Sequence, residues 1–182
     1  SNYVDIWAMI PLGRFFLNSI VVSLAITAGS MLTSIMAAYA LARMEFRGNG
    51  VAFMAIIATL MIPGHITLIP NYLTISALDM RNTYWALILP FLASGFATFF
   101  LRQQFRTVPR ELEDAARIDN AGSWRILWDV VVPVRRPAVA AIAVFVFLAE
   151  WNSYIWPLIV IDSMEMRTVE IGLARLFAEE AE

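Results

Sequence analysis

FFLNSIVVSLAITAGSMLTSIMAAYAL, residues 15–41, contains no charged side chain and is bracketed by Arg14 and Arg43. A helix over these residues reaches ~40 Å at 1.5 Å per residue, enough to cross the hydrocarbon core of a bilayer with some tilt. Ser23, Ala25, Ala28, Gly29, Ser30, Ser34, Ala37 and Ala38 are small, and small residues let neighbouring helices approach closely in lipid. The composition of the whole chain agrees: of 182 residues 60% are hydrophobic and only 15% charged, with a mean hydropathy of +0.68. Those values exclude an ordinary soluble domain and point to a protein whose solvent is mostly lipid.

Three further apolar runs follow. Residues 51–69 are interrupted by Pro63 and Gly64 and closed by Pro70, while residues 83–101 contain Pro90 and Gly95. Residues 137–161 complete the set, with 71–82 between the second and third runs reading as a connector. The expected fold is therefore all-α: a polytopic transmembrane helical bundle, one domain over 1–182, with four spans (15–41, 51–69, 83–101 and 137–161) and a polar segment over 102–136. A proline inside a span frees a backbone carbonyl, which in lipid must find a partner in protein or in a water-lined cavity. The 51–69 run should therefore face protein or a pathway near its Pro-Gly break.

All 13 basic residues are Arg. Nine of them, Arg43, Arg47, Arg102, Arg106, Arg110, Arg117, Arg125, Arg135 and Arg136, fall in the turn after the first span and in 102–136. The positive-inside rule places both segments in the cytoplasm. Without Lys the chain cannot carry a Walker A phosphate loop, so ATP would have to be handled by a partner. The absence of Cys and the single His leave no thiolate site and no histidine cluster for a metal.

Within the cytoplasmic segment, ELEDAARIDNAG (111–122) carries five charges, Glu111, Glu113, Asp114, Arg117 and Asp119. Pro109 suits a first helical turn, and acidic side chains there meet the positive end of the helix dipole. Ala115 and Ala116 form a nearly featureless surface able to approach another backbone. Asn120 and Gly122 enter the left-handed region cheaply, so the helix is expected to end between them. Ser123 would then cap a second helix over 124–132, which Pro133 ends. Trp124, Ile126, Leu127, Trp128 and Val130 to Val132 are too apolar for an idle loop, and should bury themselves on the spans or on a second protein.

PRELEDAARIDNAGSWRILWDVVVP, residues 109–133, resembles the cytoplasmic signature of the membrane-spanning subunits of binding-protein-dependent ABC importers. That signature runs Glu-Ala-Ala, three residues, Gly, nine residues, then Ile, any residue, Leu and Pro. Asp114, Ala115, Ala116, Asn120, Val130, Val132 and Pro133 keep its spacing, with Asp for Glu, Asn for Gly and Val for Ile and Leu. FLNSIVVSLAIT, AAYALARMEFRG, MIPGHITLIP, NTYWALILP and EWNSYIWPLIV are similar to further landmarks of the carbohydrate-uptake class, whose members carry maltose, other oligosaccharides or glycerol phosphates.

The resemblance implies a type I importer permease in a bacterial plasma (inner) membrane. Such a subunit has six spans, so this chain would be part of a longer one. It also implies ABC ATPase subunits holding ATP and Mg, a second homologous permease subunit and an external solute-binding protein, with no nucleic acid and no cofactor in this chain. The helix of Glu111, Glu113, Asp114, Ala115, Ala116, Arg117, Asp119 and Asn120, with Gly122 and Pro133 behind it, would be the coupling helix entering a cleft of the ATPase. Its small alanines permit insertion and its charges set register.

Glu150 is the one Asp, Glu or Arg inside a predicted span, and charges at that depth normally face a bundle interior or water. With Trp151, Asn152 and Tyr154 it could contact sugar hydroxyls and ring faces. The alternative is an interfacial aromatic belt with Glu150 bonded to another helix. A bare carboxylate on the pathway slightly favours a neutral sugar or polyol over a phosphate ester. A membrane-embedded enzyme would need convergent acids, bases or metal ligands that one Glu and one His do not supply. An ion-coupled secondary transporter would show repeats and several intramembrane charges.

Overall fold

A computed structural model describes residues 11–179, with side chains through residue 174. The described residues are helical or irregular. In chain order the helices are α1 (Leu12–Arg43), α2 (Asn49–Leu60), α3 (Leu68–Ala77), α4 (Tyr84–Ile88), α5 (Gly95–Arg106), α6 (Arg110–Ile118), α7 (Ser123–Ile126), α8 (Arg136–Trp151), α9 (Ile155–Val160) and α10 (Val169–Glu179). Beyond α7 the helical path continues through a π turn at Leu127–Val131 and a last turn at Val132–Val134.

Of these, α1 is long and apolar enough to cross a membrane alone. The pairs α2 with α3, α4 with α5, and α7 with α8 would each serve as a span only if taken across a bend, giving up to four. Prolines account for much of the difference from uninterrupted runs. Pro157 has no N–H for the carbonyl of Ser153 and its ring crowds that group, so the 137–161 run breaks at residues 152–154. Pro90 likewise denies Ala86 its helical donor, and the indole Nε1 of Trp156 supplies one at 3.0 Å. Residues 71–82, expected as a connector, are largely helical in α3. Pro70 lies in the first turn of that helix, where a missing N–H costs nothing, rather than closing the preceding run.

Packing divides the described chain into two compact units. One draws on the described parts of Ser1–Thr27, Pro63–Leu92 and Phe147–Glu182, the other on Ala28–Ile62 and Ala93–Val146. The first unit centres on Val22, Ile26, Ile75, Ala86, Leu87, Trp156, Val160 and Ile161. Asn18, in the middle of an apolar helix face, is 2% exposed. Its amide nitrogen donates to the carbonyls of Glu165 and Arg167, both at 2.9 Å, and its oxygen accepts from the Tyr84 hydroxyl at 2.7 Å.

The core of the second unit gathers Met31, Ile35, Ala38 and Tyr39 of α1, Ala97, Leu101 and Phe105 of α5, and Ile126, Leu127, Val131, Ile142 and Val146. Here α2 meets α5 at Gly95, where a Cβ would lie 2.8 Å from Thr59 Oγ1 and 3.3 Å from Leu60 Cδ2. Ser94 caps α5, accepting from the Ala97 N–H at 3.1 Å. Gly95→Val should therefore destabilise the protein by about 1–3 kcal/mol through overpacking, seen as a lower melting temperature of the detergent-solubilised protein. An unchanged melting temperature would mean that α2 can move aside.

Candidate functional site

The 102–136 segment lies wholly in the second unit. Pro109 sits one position outside α6 as its N-cap, and Arg110 opens the helix. At the other end Asp119 is the C-cap and Asn120 has φ 57°. The Asn120 N–H donates to Arg117 O and the Ala121 N–H to Ala116 O, both at 3.0 Å. These two bonds are the Schellman arrangement, which satisfies carbonyls that a helix end otherwise leaves open.

Three local expectations are corrected. The helix ends at Ile118, before Asn120 rather than between Asn120 and Gly122, and Gly122 is extended (φ −71°, ψ 165°), because Asn120 alone makes the reversal. Ser123 is not the cap of the next helix: Gly122 occupies the N-cap position and no side chain bonds there. Pro133 does not end the helical path, which runs on to Val134. The π turn just before it loosens the stretch where the ring would otherwise crowd the carbonyl of Asp129.

A β-branched side chain is poorly tolerated at left-handed φ. Asn120→Val should accordingly cost about 1–2 kcal/mol and Asn120→Gly almost nothing. Thermal melts of the two variants compare them directly, and equal melting temperatures would refute the Schellman account.

Helical periodicity gives α6 two distinct faces. Outward stand Leu112, Ala115 and Ile118, at i, i+3 and i+6, with Leu112 43% and Ile118 82% exposed. Trp124, at the start of α7, is also 63% exposed and stacks edge-on with Trp128, ring centroids 5.7 Å apart. Glu111, Asp114, Arg117, Asp119 and Asn120 are exposed as well, with Asp114 and Arg117 loosely paired at 3.6 Å. Ala116 turns inward and packs against the core, and Pro133 is half-buried. The two signature alanines therefore occupy different environments, one outward and one inward.

Glu113 is the buried residue of α6, at 3% exposure. Its Oε1 lies 2.9 Å from Nε of Arg43, the last residue of α1, and both side chains are almost fully enclosed. The N–H is not aimed at the oxygen, so the contact is charge to charge rather than an aligned hydrogen bond. Nη2 of Arg43 also donates to the carbonyl of Phe105 at 2.7 Å and to that of Val108. Arg102 Nε donates to Leu41 O at 3.2 Å, and Arg135 Nη2 to Thr107 O at 2.9 Å. Beside the pair opens a polar crevice of about 450 Å³, lined by Tyr39, Arg43, Glu45, Arg110, Glu113, Asp114, Arg117 and Ser123 among others. Sequence reasoning placed Glu113 among the dipole-facing acids and missed its burial. Spacing shows that Glu113 and Ala116 share a helix face but not which way that face turns, so no local signal would have found the burial.

In the first unit, Glu150 and Trp151 line a cavity with Ser19, Ser23, Ser153, Trp156 and Thr168. Its volume is about 10 Å³, room for about one water. Asn152 and Tyr154 are not among its walls. The Asn152 amide donates back to Leu148 O at 2.6 Å, and Tyr154 is exposed. Among the described residues no group of three or more His, Cys, Asp or Glu converges to hold a metal.

Residues 29–181 match the family described as "Binding-protein-dependent transport system inner membrane component". The chain is 39% identical over 184 residues to a protein of Pectobacterium atrosepticum named "sn-glycerol-3-phosphate transport system permease protein UgpE", covering 98% of this chain and 66% of that one. It is 41% identical over 167 residues to a protein of the same name from Brucella abortus, covering 92% of this chain and 59% of that one. The chain thus spans less than two thirds of the length of these relatives. Among solved structures, it superposes with a TM-score of 0.91 and 24% identity on a chain of "a bacterial ABC transporter involved in the import of the acidic polysaccharide alginate", covering 98% of this chain and 63% of that one. That likeness shows the fold.

Proposed function

Because the chain belongs to the family of binding-protein-dependent transport system inner membrane components, we propose that it forms part of the translocation pathway of an ABC importer. It makes no ATP-hydrolysing site of its own and docks a separate ATPase through α6. The observation that carries this reading is the outward face of α6. Leu112, Ala115 and Ile118 stand exposed on a nine-residue helix that holds to its own unit by Glu113 and Ala116. An apolar strip of that kind on a polar helix fits insertion into a groove of a partner. The partners implied are a pair of ABC ATPase subunits on the cytoplasmic side, a second homologous permease subunit and an external solute-binding protein.

The solute proposed is a polyol or its phosphate ester, as the names of the relatives at 39–41% identity suggest for those proteins, with sugars the neighbouring class. Glu150 and Trp151 are the residues assigned to the pathway. Their cavity admits about one water, so they would meet the solute only in another conformation of the transporter. Asn152 and Tyr154, both exposed, would join them only there. The carboxylate suits hydroxyl groups, and contacts to a phosphate would come from the partner permease.

The test uses the full-length protein assembled with its ATPase and binding protein in proteoliposomes. ATP-dependent accumulation of labelled sn-glycerol 3-phosphate or a labelled sugar supports the reading. A preparation in which no ATPase co-purifies with the permease would overturn it.

A further inference from the structure

We propose that Arg43 is a positioning residue for coupling, the point through which displacement of α6 is passed to α1 and α5 together. The inference rests on the reading of α6 as the ATPase-docking helix and adds how that helix is fastened. Most of α6 faces outward, and Glu113 is its buried residue. Whatever force reaches this helix is therefore delivered to its own unit chiefly through that carboxylate, the inward Ala116 and the Schellman turn. Glu113 in turn meets a single guanidinium, which is the end of α1 and which also holds Phe105 O, near the end of α5, and Val108 O, in the turn that leads to α6.

Three elements thus converge on one planar cation. Arginine suits the position because its fork can serve a carboxylate and two carbonyls at once, whereas a lysine ammonium is a point charge on a single stem. The enclosure of both charges makes the tie persistent, since separating them would leave each buried without a counter-charge. Arg102 to Leu41 O and Arg135 to Thr107 O brace the same helix ends from either side. None of these three arginines belongs to the outward face of α6, so the tie is separable from docking.

The experiment uses the full-length protein in the assembled transporter, reconstituted in vesicles, with Arg43→Lys and Arg43→Met. ATP hydrolysis is measured with and without solute-loaded binding protein and expressed per ATPase retained. Because the ratio of stimulated to basal rate is taken within assembled complexes, a merely structural role would not move it. Both variants are expected to retain the ATPase and the basal rate. Stimulation should fall about tenfold in Arg43→Met, within the usual range of coupling between sites, and by less in Arg43→Lys, which keeps the charge opposite Glu113.

Undiminished stimulation in either assembled variant overturns the proposal. So does loss of the ATPase, or of the chain from the membrane, in both variants, because Arg43 would then be no more than support for the fold. Should only Arg43→Met fail to accumulate, Arg43→Lys decides alone. A wild-type preparation that binds no ATPase is a different result: it removes the docking reading on which the proposal stands.

Discussion

Replacing Ala115 by Trp is expected to abolish retention of the ATPase and solute uptake while leaving the folded protein as stable as the parent. Ala115 faces outward between Leu112 and Ile118. An indole there would project into the groove that the helix is proposed to enter. Losing the central contact of such an interface costs about 2–4 kcal/mol, which is roughly 30- to 1000-fold in affinity. Nothing in the second unit's core would have to move, so the melting temperature should stay where it is.

Ala116→Trp provides the contrast. That residue packs against the core, and its indole would unseat the helix as well as block docking, so melting temperature and uptake should fall together. The pair is decisive because the two alanines are adjacent in sequence and opposed in space. If Ala115→Trp retains the ATPase and transports normally, α6 is not the docking element. If the two variants melt at the same temperature, the assignment of faces is mistaken.

The second large effect is expected at Asn18. Its amide nitrogen faces two carbonyl oxygens, and its oxygen accepts from Tyr84. In Asn18→Asp a carboxylate oxygen would stand against those carbonyls where a donor is required. Both carbonyls would lose their bond in a place almost closed to water. At about 1–3 kcal/mol for each group left unpaired, the total is about 2–6 kcal/mol.

Tyr84→Phe removes one hydroxyl from the same network and should cost only about 1 kcal/mol. Comparison of the melting temperatures, together with protease cleavage between residues 162 and 168, would test both effects. If Asn18→Asp is no worse than Tyr84→Phe, then Asn18 does not hold the segment around Glu165.

Much of the fold was legible because it depends on local chemistry. The uncharged run at residues 15–41 lies within the one described helix long and apolar enough to span by itself. The left-handed turn at Asn120 follows from the low cost of that conformation for Asn. The shortfalls were of two kinds. Pro70 was read as a stop, although a proline in the first turn of a helix is a start. The 137–161 run was read as continuous because hydropathy registers the oiliness of residues 153–161 but not the crowding that Pro157 imposes on the carbonyl of Ser153.

The candidate site divides in the same way. Spacing alone located α6, its charges and its alanines, and even preserved the departures at Asp114 and Asn120. It could not say that Ala115 would look outward and Ala116 inward, or that Glu113 would leave solvent altogether. Those outcomes depend on what packs beneath the helix, and Arg43 and Glu113 are far apart in the chain.

From its sequence alone this protein was determined to be a bundle of helices in lipid with one polar helix outside the apolar runs, since apolar burial and backbone satisfaction are properties of each segment. Only the tertiary structure decided that the polar helix is pinned through a single enclosed ion pair, and that a tryptophan indole satisfies the carbonyl Pro90 leaves open. A buried charge or an unpaired carbonyl must find its partner wherever packing has brought one, and no local pattern specifies where that is.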